Sequence, residues 1–218
     1  MNQSYSRAEQ SSWPKPTELK RLGLVGLVLA AGGSSRLGRA KTLLLHHGRP
    51  LICDVVETVN TVCDGGVTVV TGAEQDAVMQ ALSSEVGEKA VVNYVHNDQW
   101  RQGMSTSLAT GVRCVAEHSP TAKAVLLMLC DQPRIGPDQL GALVRLWQTA
   151  PASPAAAGYA DTVGAPAVFP RSWFDRLMSL EDDQGARMLL RQCPDLQTLD
   201  MPEAAADIDT PNDLYLLD

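Results

Sequence analysis

Short apolar runs alternate with amphipathic stretches along most of the chain. The run LVGLVLAA at 24–31 is continuously apolar, which is typical of a parallel strand buried on both faces. The same alternation predicts strands at 67–70, 90–95 and 124–129, and helices at 50–62, 74–82, 104–116 and 137–148. Strands that alternate with helices predict an α/β protein: a three-layer α/β/α sandwich with a mostly parallel sheet.

The pattern loosens after Pro151. Residues 151–158 are predicted to form a loop rich in alanine, proline and serine. Further elements are predicted beyond it: a short strand at 165–169, helices at 173–180 and 185–192, and a last strand at 196–199. We expect one domain at 23–218, because no segment in this range has the composition of a linker. Residues 1–22 are polar and predict a disordered leader.

Composition narrows the class of protein. A hydrophobic content of 44% and a charged content of 20% are ordinary for a soluble globular chain of 218 residues. No apolar run approaches the ~20 residues of a membrane span, so no membrane partner is expected. Five cysteines without a C-x-x-C pair favour reduced thiols and a cytoplasmic location. The net charge of -7 argues against a nucleic-acid partner, because phosphate backbones require a basic surface.

The loop after the first strand carries most of the candidate chemistry. Its sequence, LAAGGSSRLGRAK at 29–41, combines glycines with three cations, Arg36, Arg39 and Lys41. Glycines let the backbone approach a ligand closely, and consecutive N–H groups can then bind an anion. The loop differs from the P-loop because residue 39 is arginine, and from the dinucleotide pattern G-x-G-x-x-G because Ser34 replaces the second glycine. A phosphate site outside these two classes is predicted.

Two other positions are expected at the same edge of the sheet. Asp131 follows a buried strand, where a carboxylate is costly unless a cation or solvent compensates it. Gly103 and Ser107 lie at the start of a predicted helix, a position that favours anions and polar ligands. Ligands of open parallel sheets bind outside the carboxyl ends of the strands, so the glycine-rich loop and Asp131 are candidates for one site.

Several separated motifs resemble one family. LVLAAGGSSRLGRAK is similar to the signature L-A-A-G-x-x-x-R-M-G-x-x-K of the MobA-like NTP transferases, and within them most resembles the molybdenum cofactor cytidylyltransferases (MocA-like). Six further segments are similar to family motifs in the same order: HGRPL at 47–51, NDQWRQGMSTSL at 97–108, CDQP at 130–133, GAP at 164–166, DQGAR at 183–187 and DIDTP at 207–211. The resemblance runs from Leu24 to the end of the chain and implies a fold of the nucleotide-diphospho-sugar transferase (Rossmann-like) type.

The resemblance also implies an activity. It is the Mg²⁺-dependent transfer of CMP from CTP to a molybdopterin-type cofactor, with a molybdenum hydroxylase or its maturation factor as a further partner. Ala31 favours CTP, since the family's Leu-Ala-Gly-Gly variant goes with GTP. Other interpretations stay open: transfer to a sugar phosphate or a methylerythritol phosphate, GTP-dependent guanylyl transfer, a non-catalytic maturation partner, or an NAD(P)H-dependent reductase.

Site residues follow from the resemblance position by position. The implied catalytic residues are Arg36, Lys41 and Asp131. The two cations, Arg36 and Lys41, would neutralise phosphate charge in the transition state. The implied nucleotide-binding residues are Leu29, Ala30, Ala31, Gly32, Gly33, Arg36, Lys41, Gly103 and Ser107. The implied acceptor-binding residues are Gly164, Pro166, Asp183 and Arg187. Asp131 and Asp209 are the implied metal ligands, with Asp207 a weaker candidate, and Asp209 could instead cap the last helix.

Overall fold

The computed structural model describes residues 22–34, 37–86, 90–180 and 185–217. Within these ranges the strands are β1 (Leu24–Ala30), β2 (Leu45–His46), β3 (Arg49–Pro50), β4 (Val67–Thr71), β5 (Val92–His96), β6 (Ala124–Leu129), β7 (Ala155–Tyr159), β8 (Thr162–Pro170) and β9 (Gln197–Asp200). The α-helices are α1 (Leu51–Val62), α2 (Gln75–Glu85), α3 (Met104–His118), α4 (Pro137–Thr149), α5 (Phe174–Met178) and α6 (Gly185–Arg191). Short 3₁₀ helices form at Lys41–Leu43, Trp100–Gln102, Arg171–Trp173, Pro202–Ala205 and Pro211–Leu217.

The described strands form one large sheet in the order β5-β4-β1-β6-β8-β7-β9, and β2 and β3 form a separate small hairpin. β1 pairs in parallel with both β4 and β6, and every residue of β1 is buried. β8 runs antiparallel to both of its neighbours, β6 and β7. The sheet is therefore mostly parallel, as the alternation of strands and helices predicted.

Helices cover both faces of the sheet. Successive side chains of a strand point to opposite faces, so Leu24 and Val28 join one buried cluster while Val25 and Leu27 join another. Helices α1, α2 and α4 contribute to the first cluster, and α3, α5 and α6 to the second. The predicted three-layer sandwich is confirmed.

One predicted loop is a strand. Residues 155–158, placed in the loop 151–158 by their composition, belong to β7, which lies between β8 and β9 in the sheet. Their alanines have low strand propensity and show no alternation of polar and apolar positions. The turn to β8 is formed by Ala160 and Asp161, both at positive φ (45° and 58°). Hairpin turns at positive φ favour glycine, asparagine and aspartate, and Asp161 is the one such residue here, so the sequence indicates this turn only weakly.

In the described part of the chain, no strand follows β9. Residues 1–21, most of the predicted leader, lie outside the described residues. The predicted last helix is a 3₁₀ helix at Pro211–Leu217. In the described part of the chain, no helix has the length and apolar character needed to cross a lipid bilayer.

Candidate active site

An open cavity of ≈ 730 Å³ lies at the carboxyl ends of β1 and β6. Four segments far apart in sequence line it: residues 29–34 and 41–42 at the end of β1 and beyond it, residues 100–104 and 107 around the start of α3, residues 129–131 at the end of β6, and Asp209. Parallel pairing explains the meeting of the first and third segments, since Leu29 lies beside Leu129 across the sheet. The cavity is at the edge where the motifs predicted a ligand.

The glycine-rich loop is closed by local hydrogen bonds and packs on an indole ring. The backbone N–H of Lys41 donates to Ser34 Oγ at 2.9 Å, and that of Leu37 donates to the Ser34 carbonyl oxygen at 3.1 Å. A Cβ atom at Gly33 would lie 2.9 Å from two ring atoms of Trp100, closer than ordinary van der Waals contact. Glycine is therefore favoured at 33, because any larger residue would displace the ring. Arg36, an expected catalytic residue, lies outside the described residues.

Lys41 lies between two carboxylates. Its Nζ atom is 3.3 Å from Asp131 Oδ2 and also contacts Asp209 Oδ1, and the lysine side chain is 17% exposed. Burial lowers the pKa of Lys41, but the hydrogen bond to Asp209 and the charge of Asp131 outweigh it, so the pKa lies above its ordinary value. The ammonium group thus stays protonated, and three residues that sequence motifs implied separately meet in one charged cluster.

Asp131 presents its two oxygens to different surroundings. Oδ2 faces Lys41, whereas Oδ1 is buried and has no hydrogen-bond partner among the described residues. Burial raises the pKa of the Asp131 carboxyl above its ordinary value, and Lys41 only partly opposes this. A buried acceptor oxygen without a donor is costly unless something else compensates it.

A hard divalent cation fits this arrangement. Gln132 Oε1 and Asp207 Oδ1 are further buried acceptor oxygens without a partner in the described ranges. Burial, followed by the charges of Asp131 and Asp209, raises the pKa of Asp207 to about 6. Mg²⁺ prefers such oxygens and takes only one or two protein carboxylates, with water and substrate phosphates completing its shell. Among the described residues, no group of three or more histidine, cysteine, aspartate or glutamate side chains is arranged to hold a metal ion.

The last turn of the chain is capped by a residue that the motifs did not single out. Asp213 Oδ2 accepts hydrogen bonds from the backbone N–H groups of Asp209 (3.1 Å) and Thr210 (2.7 Å) and from the Thr210 hydroxyl (2.9 Å). The Asp209 side chain therefore contacts Lys41, and the turn that precedes the last helix is held by the carboxylate of Asp213.

A buried asparagine fixes the segment before α3. Asn97 is 3% exposed; its Nδ2 donates to Thr106 Oγ1 and Ser107 Oγ, both at 2.9 Å, and its Oδ1 accepts from the Gln99 N–H at 3.0 Å. Gly103 ends this turn with φ 125°, a conformation that favours glycine. Gly103 and Ser107 both line the cavity, as expected. Asn97 and Trp100 were visible only as motif positions, and nothing in the sequence indicated that one organises the turn and the other supports the glycine loop.

Three of the expected acceptor residues, Gly164, Pro166 and Arg187, do not line the cavity. A Cβ atom at Gly164 would lie 2.6 Å from the Tyr159 hydroxyl, which accepts a hydrogen bond from Arg187 Nη2 at 3.4 Å. Pro166 follows a cis peptide bond, and the carbonyl oxygen of Ala165 accepts from Gln132 Nε2 at 3.1 Å. Asp183 lies outside the described residues. Tyr159 was missed, because the strand that holds it was not predicted.

Comparison with known proteins decides the family. The family described as the MobA-like NTP transferase domain matches residues 26–198. The chain belongs to this family. The family predicted from the motifs is confirmed, and the protein is a nucleotidyltransferase by class.

Two relatives, and two solved structures of a third protein, are similar to this NTP transferase over most of their length. Nicotine blue oxidoreductase of Paenarthrobacter nicotinovorans is 32% identical over 89% of the chain and 96% of that protein. Purine catabolism protein PucB of Bacillus subtilis is 30% identical over 77% of the chain and 80% of that protein. The crystal structure of Rv0371c from Mycobacterium tuberculosis, at 26% identity and a TM-score of 0.71, covers 89% of this chain and 97% of that one. A second crystal structure of Rv0371c, at 25% identity and a TM-score of 0.67, is a complex with manganese and has the same coverage.

Proposed function

We propose that this NTP transferase transfers CMP from CTP to a phosphorylated acceptor, a molybdopterin-type cofactor, and releases pyrophosphate. The observation that carries the proposal is the cluster of Lys41, Asp131 and Asp209 in the cavity that the glycine-rich loop lines. An acceptor phosphate oxygen attacks the α-phosphorus, a new P–O bond forms, and the bond to the bridging oxygen of pyrophosphate breaks.

Each group at the site has a place in this reaction. The backbone of residues 31–34 and the Lys41 ammonium group hold the triphosphate, and the raised pKa of Lys41 keeps its charge available. Arg36 adds a second cation by resemblance. Asp131 and Asp209 would hold Mg²⁺, which supplies charge neutralisation to the phosphate oxygens when bound.

Nucleotide and acceptor bind at opposite sides of the cluster in this proposal. Leu29, Ala30, Ala31, Gly103 and Ser107 would contact the nucleoside, with Ala31 selecting cytosine. Arg187, Gly164 and Pro166, together with Asp183, would form the acceptor side. We further propose a cytoplasmic location, a molybdenum hydroxylase or its maturation factor as recipient of the product, and the domain at 23–218 after a leader at 1–22.

The direct test is pyrophosphate release from CTP and from GTP with molybdopterin as acceptor, alongside a sugar phosphate and a methylerythritol phosphate. We expect turnover with CTP and molybdopterin, and a loss of about 10²-fold or more in kcat for Asp131→Asn. Asp76→Asn is the matched control and should retain the parent rate. It makes the same change from carboxylate to carboxamide at an exposed residue of α2 that does not line the cavity. Near-normal turnover by Asp131→Asn would contradict the mechanism.

A second candidate, an NAD(P)H-dependent reductase, is favoured by one observation. The similarity to nicotine blue oxidoreductase spans 96% of that protein. The same preparation should therefore be assayed for NAD(P)H oxidation with a quinonoid dye as the electron acceptor. Dye-dependent NAD(P)H oxidation without pyrophosphate release would replace the transferase proposal.

A further inference from the structure

A cation at the cavity mouth is held on an aromatic ring. The guanidinium carbon of Arg101 lies 4.3 Å from the centroid of the Trp100 ring, within the range of a cation–π contact. The same ring packs against the backbone at Gly33 and Gly72. Trp100 and Arg101 both line the cavity. The arginine is thus tied, through the indole, to the glycine-rich loop.

The charges of the cavity distinguish Arg101 from Lys41. Lys41 is already offset by Asp131 and Asp209. Arg101 is exposed and, within the described ranges, forms no ion pair. A polyanion that enters this cavity therefore meets an uncompensated guanidinium group at Arg101. Guanidinium groups suit phosphates because their planar fork can donate two parallel hydrogen bonds.

We propose that Arg101 binds the β- and γ-phosphates of the triphosphate, the part that leaves as pyrophosphate, and that Trp100 is the positioning residue that holds it there. The inference rests on the proposed function only for the identity of the natural ligand. Its chemistry is that of a pyrophosphate group, whether free or part of a nucleotide. In this proposal the triphosphate is contacted by Lys41 and the loop backbone, and Arg101 adds a further contact to its outer phosphates.

Binding of inorganic pyrophosphate in the presence of Mg²⁺, measured by isothermal titration calorimetry, tests the assignment without turnover or an acceptor. We expect Arg101→Gln to weaken binding about tenfold, as for the loss of a charge-assisted hydrogen bond. The salt dependence of its dissociation constant should also become shallower, because one cation fewer meets the anion. Arg113→Gln is the matched control, since Arg113 is exposed on α3 and does not line the cavity.

Trp100 is tested by two substitutions to smaller apolar side chains, one aromatic and one not. Trp100→Phe keeps a ring under the guanidinium group and should retain affinity within about threefold. Trp100→Leu should weaken pyrophosphate binding as Arg101→Gln does, and the double variant should lose little more. Circular dichroism verifies folding, and Arg101→Gln alone decides if Trp100→Leu does not fold.

Several outcomes would overturn the inference: no measurable pyrophosphate binding by the parent protein, equal affinity of Arg101→Gln and the parent, or equal losses in Arg101→Gln and Arg113→Gln. The proposed function fails separately. If the parent releases no pyrophosphate from CTP while Arg101→Gln still weakens pyrophosphate binding, the site assignment holds and the transferase proposal does not.

Discussion

Packing of the glycine-rich loop on Trp100 leads to a prediction for Gly33→Ala. The new methyl group would lie 2.9 Å from ring atoms Cη2 and Cζ3 of Trp100, so the ring must move. Overpacking of this kind costs about 1–3 kcal/mol. Alanine also reduces the conformational freedom of the unfolded chain, which raises the free energy of unfolding by roughly 0.4–1 kcal/mol. Because Trp100 is only partly buried and can shift, we expect a net loss of about 1 kcal/mol in the free energy of unfolding.

Gly32→Ala is the matched control in the same loop. No atom lies within 4 Å of a Cβ atom built at Gly32, so this variant gains the entropic term without a clash. For a chain of this length, a 1 kcal/mol loss lowers the melting temperature by about 2–4 °C. Thermal and urea unfolding of Gly33→Ala, Gly32→Ala and the parent therefore distinguish the two positions. The double variant Gly33→Ala with Trp100→Leu should cost less than the sum of its parts, because the smaller side chain relieves the clash. Equal stability of Gly33→Ala and Gly32→Ala would refute the proposed contact between ring and loop.

Three further predictions address other parts of the molecule. Asn97→Ala removes three hydrogen bonds from a buried turn, so urea unfolding should show a loss of about 1–3 kcal/mol, and KM for CTP should rise; an unchanged midpoint would be the contrary result. Arg49 hydrogen-bonds to Glu57 and lowers the pKa of that carboxyl, so the pair contributes stability above the ordinary pKa of 4.5 that is lost as pH falls through the lowered pKa. Glu57→Gln should therefore cost roughly 0.5 kcal/mol near neutral pH, with the difference from the parent shrinking below pH 4.5; a gap independent of pH would contradict this. Chelation with EDTA should abolish pyrophosphate release and added Mg²⁺ should restore it, whereas an undiminished rate after chelation would exclude the metal from catalysis.

The first half of the fold follows from strand burial. The continuous apolar run at 24–31 predicted a buried central strand, and β1 is buried along its whole length. Such a strand cannot be solvated on either face, so helices must cover both, which the helical stretches between strands supply. Gly26 shows how closely the layers meet, since a Cβ atom there would lie 2.3 Å from Val59 of α1.

The second half was less predictable for a physical reason. β7 is buried by small residues whose own propensity does not favour a strand, and its turn reaches positive φ without glycine. Tertiary context decides such a segment: β8 on one side and β9 on the other supply its backbone partners. Because β7 was not predicted, Tyr159 was not predicted to lie near the site, although its hydroxyl group contacts Arg187.

The candidate site also has one part that strand pairing predicts and one part that it does not. Strand order places Leu29 beside Leu129, so the meeting of the glycine loop with Asp131 could be expected from parallel pairing. The position of Asp209 could not be expected from strand pairing. It depends on the backbone hydrogen bond from the Ile208 N–H to the Asp131 carbonyl oxygen at 2.9 Å, which joins two segments that lie outside the helices and strands. No periodicity in the sequence marks such a contact.

The ion pairs at Lys41 explain how an acidic protein can keep a polyanion site. Two carboxylates near each other repel, and Lys41 stabilises them by lying between them. A divalent cation that bound Asp131 and Asp209 would take over this compensation and leave the lysine charge for a phosphate. The buried Oδ1 of Asp131 remains without a donor in the described part of the chain, so the lysine alone does not satisfy the cluster. The carboxylates make the cavity acidic. The same carboxylates would bind a metal ion, and the bound ion would attract a triphosphate to the cavity.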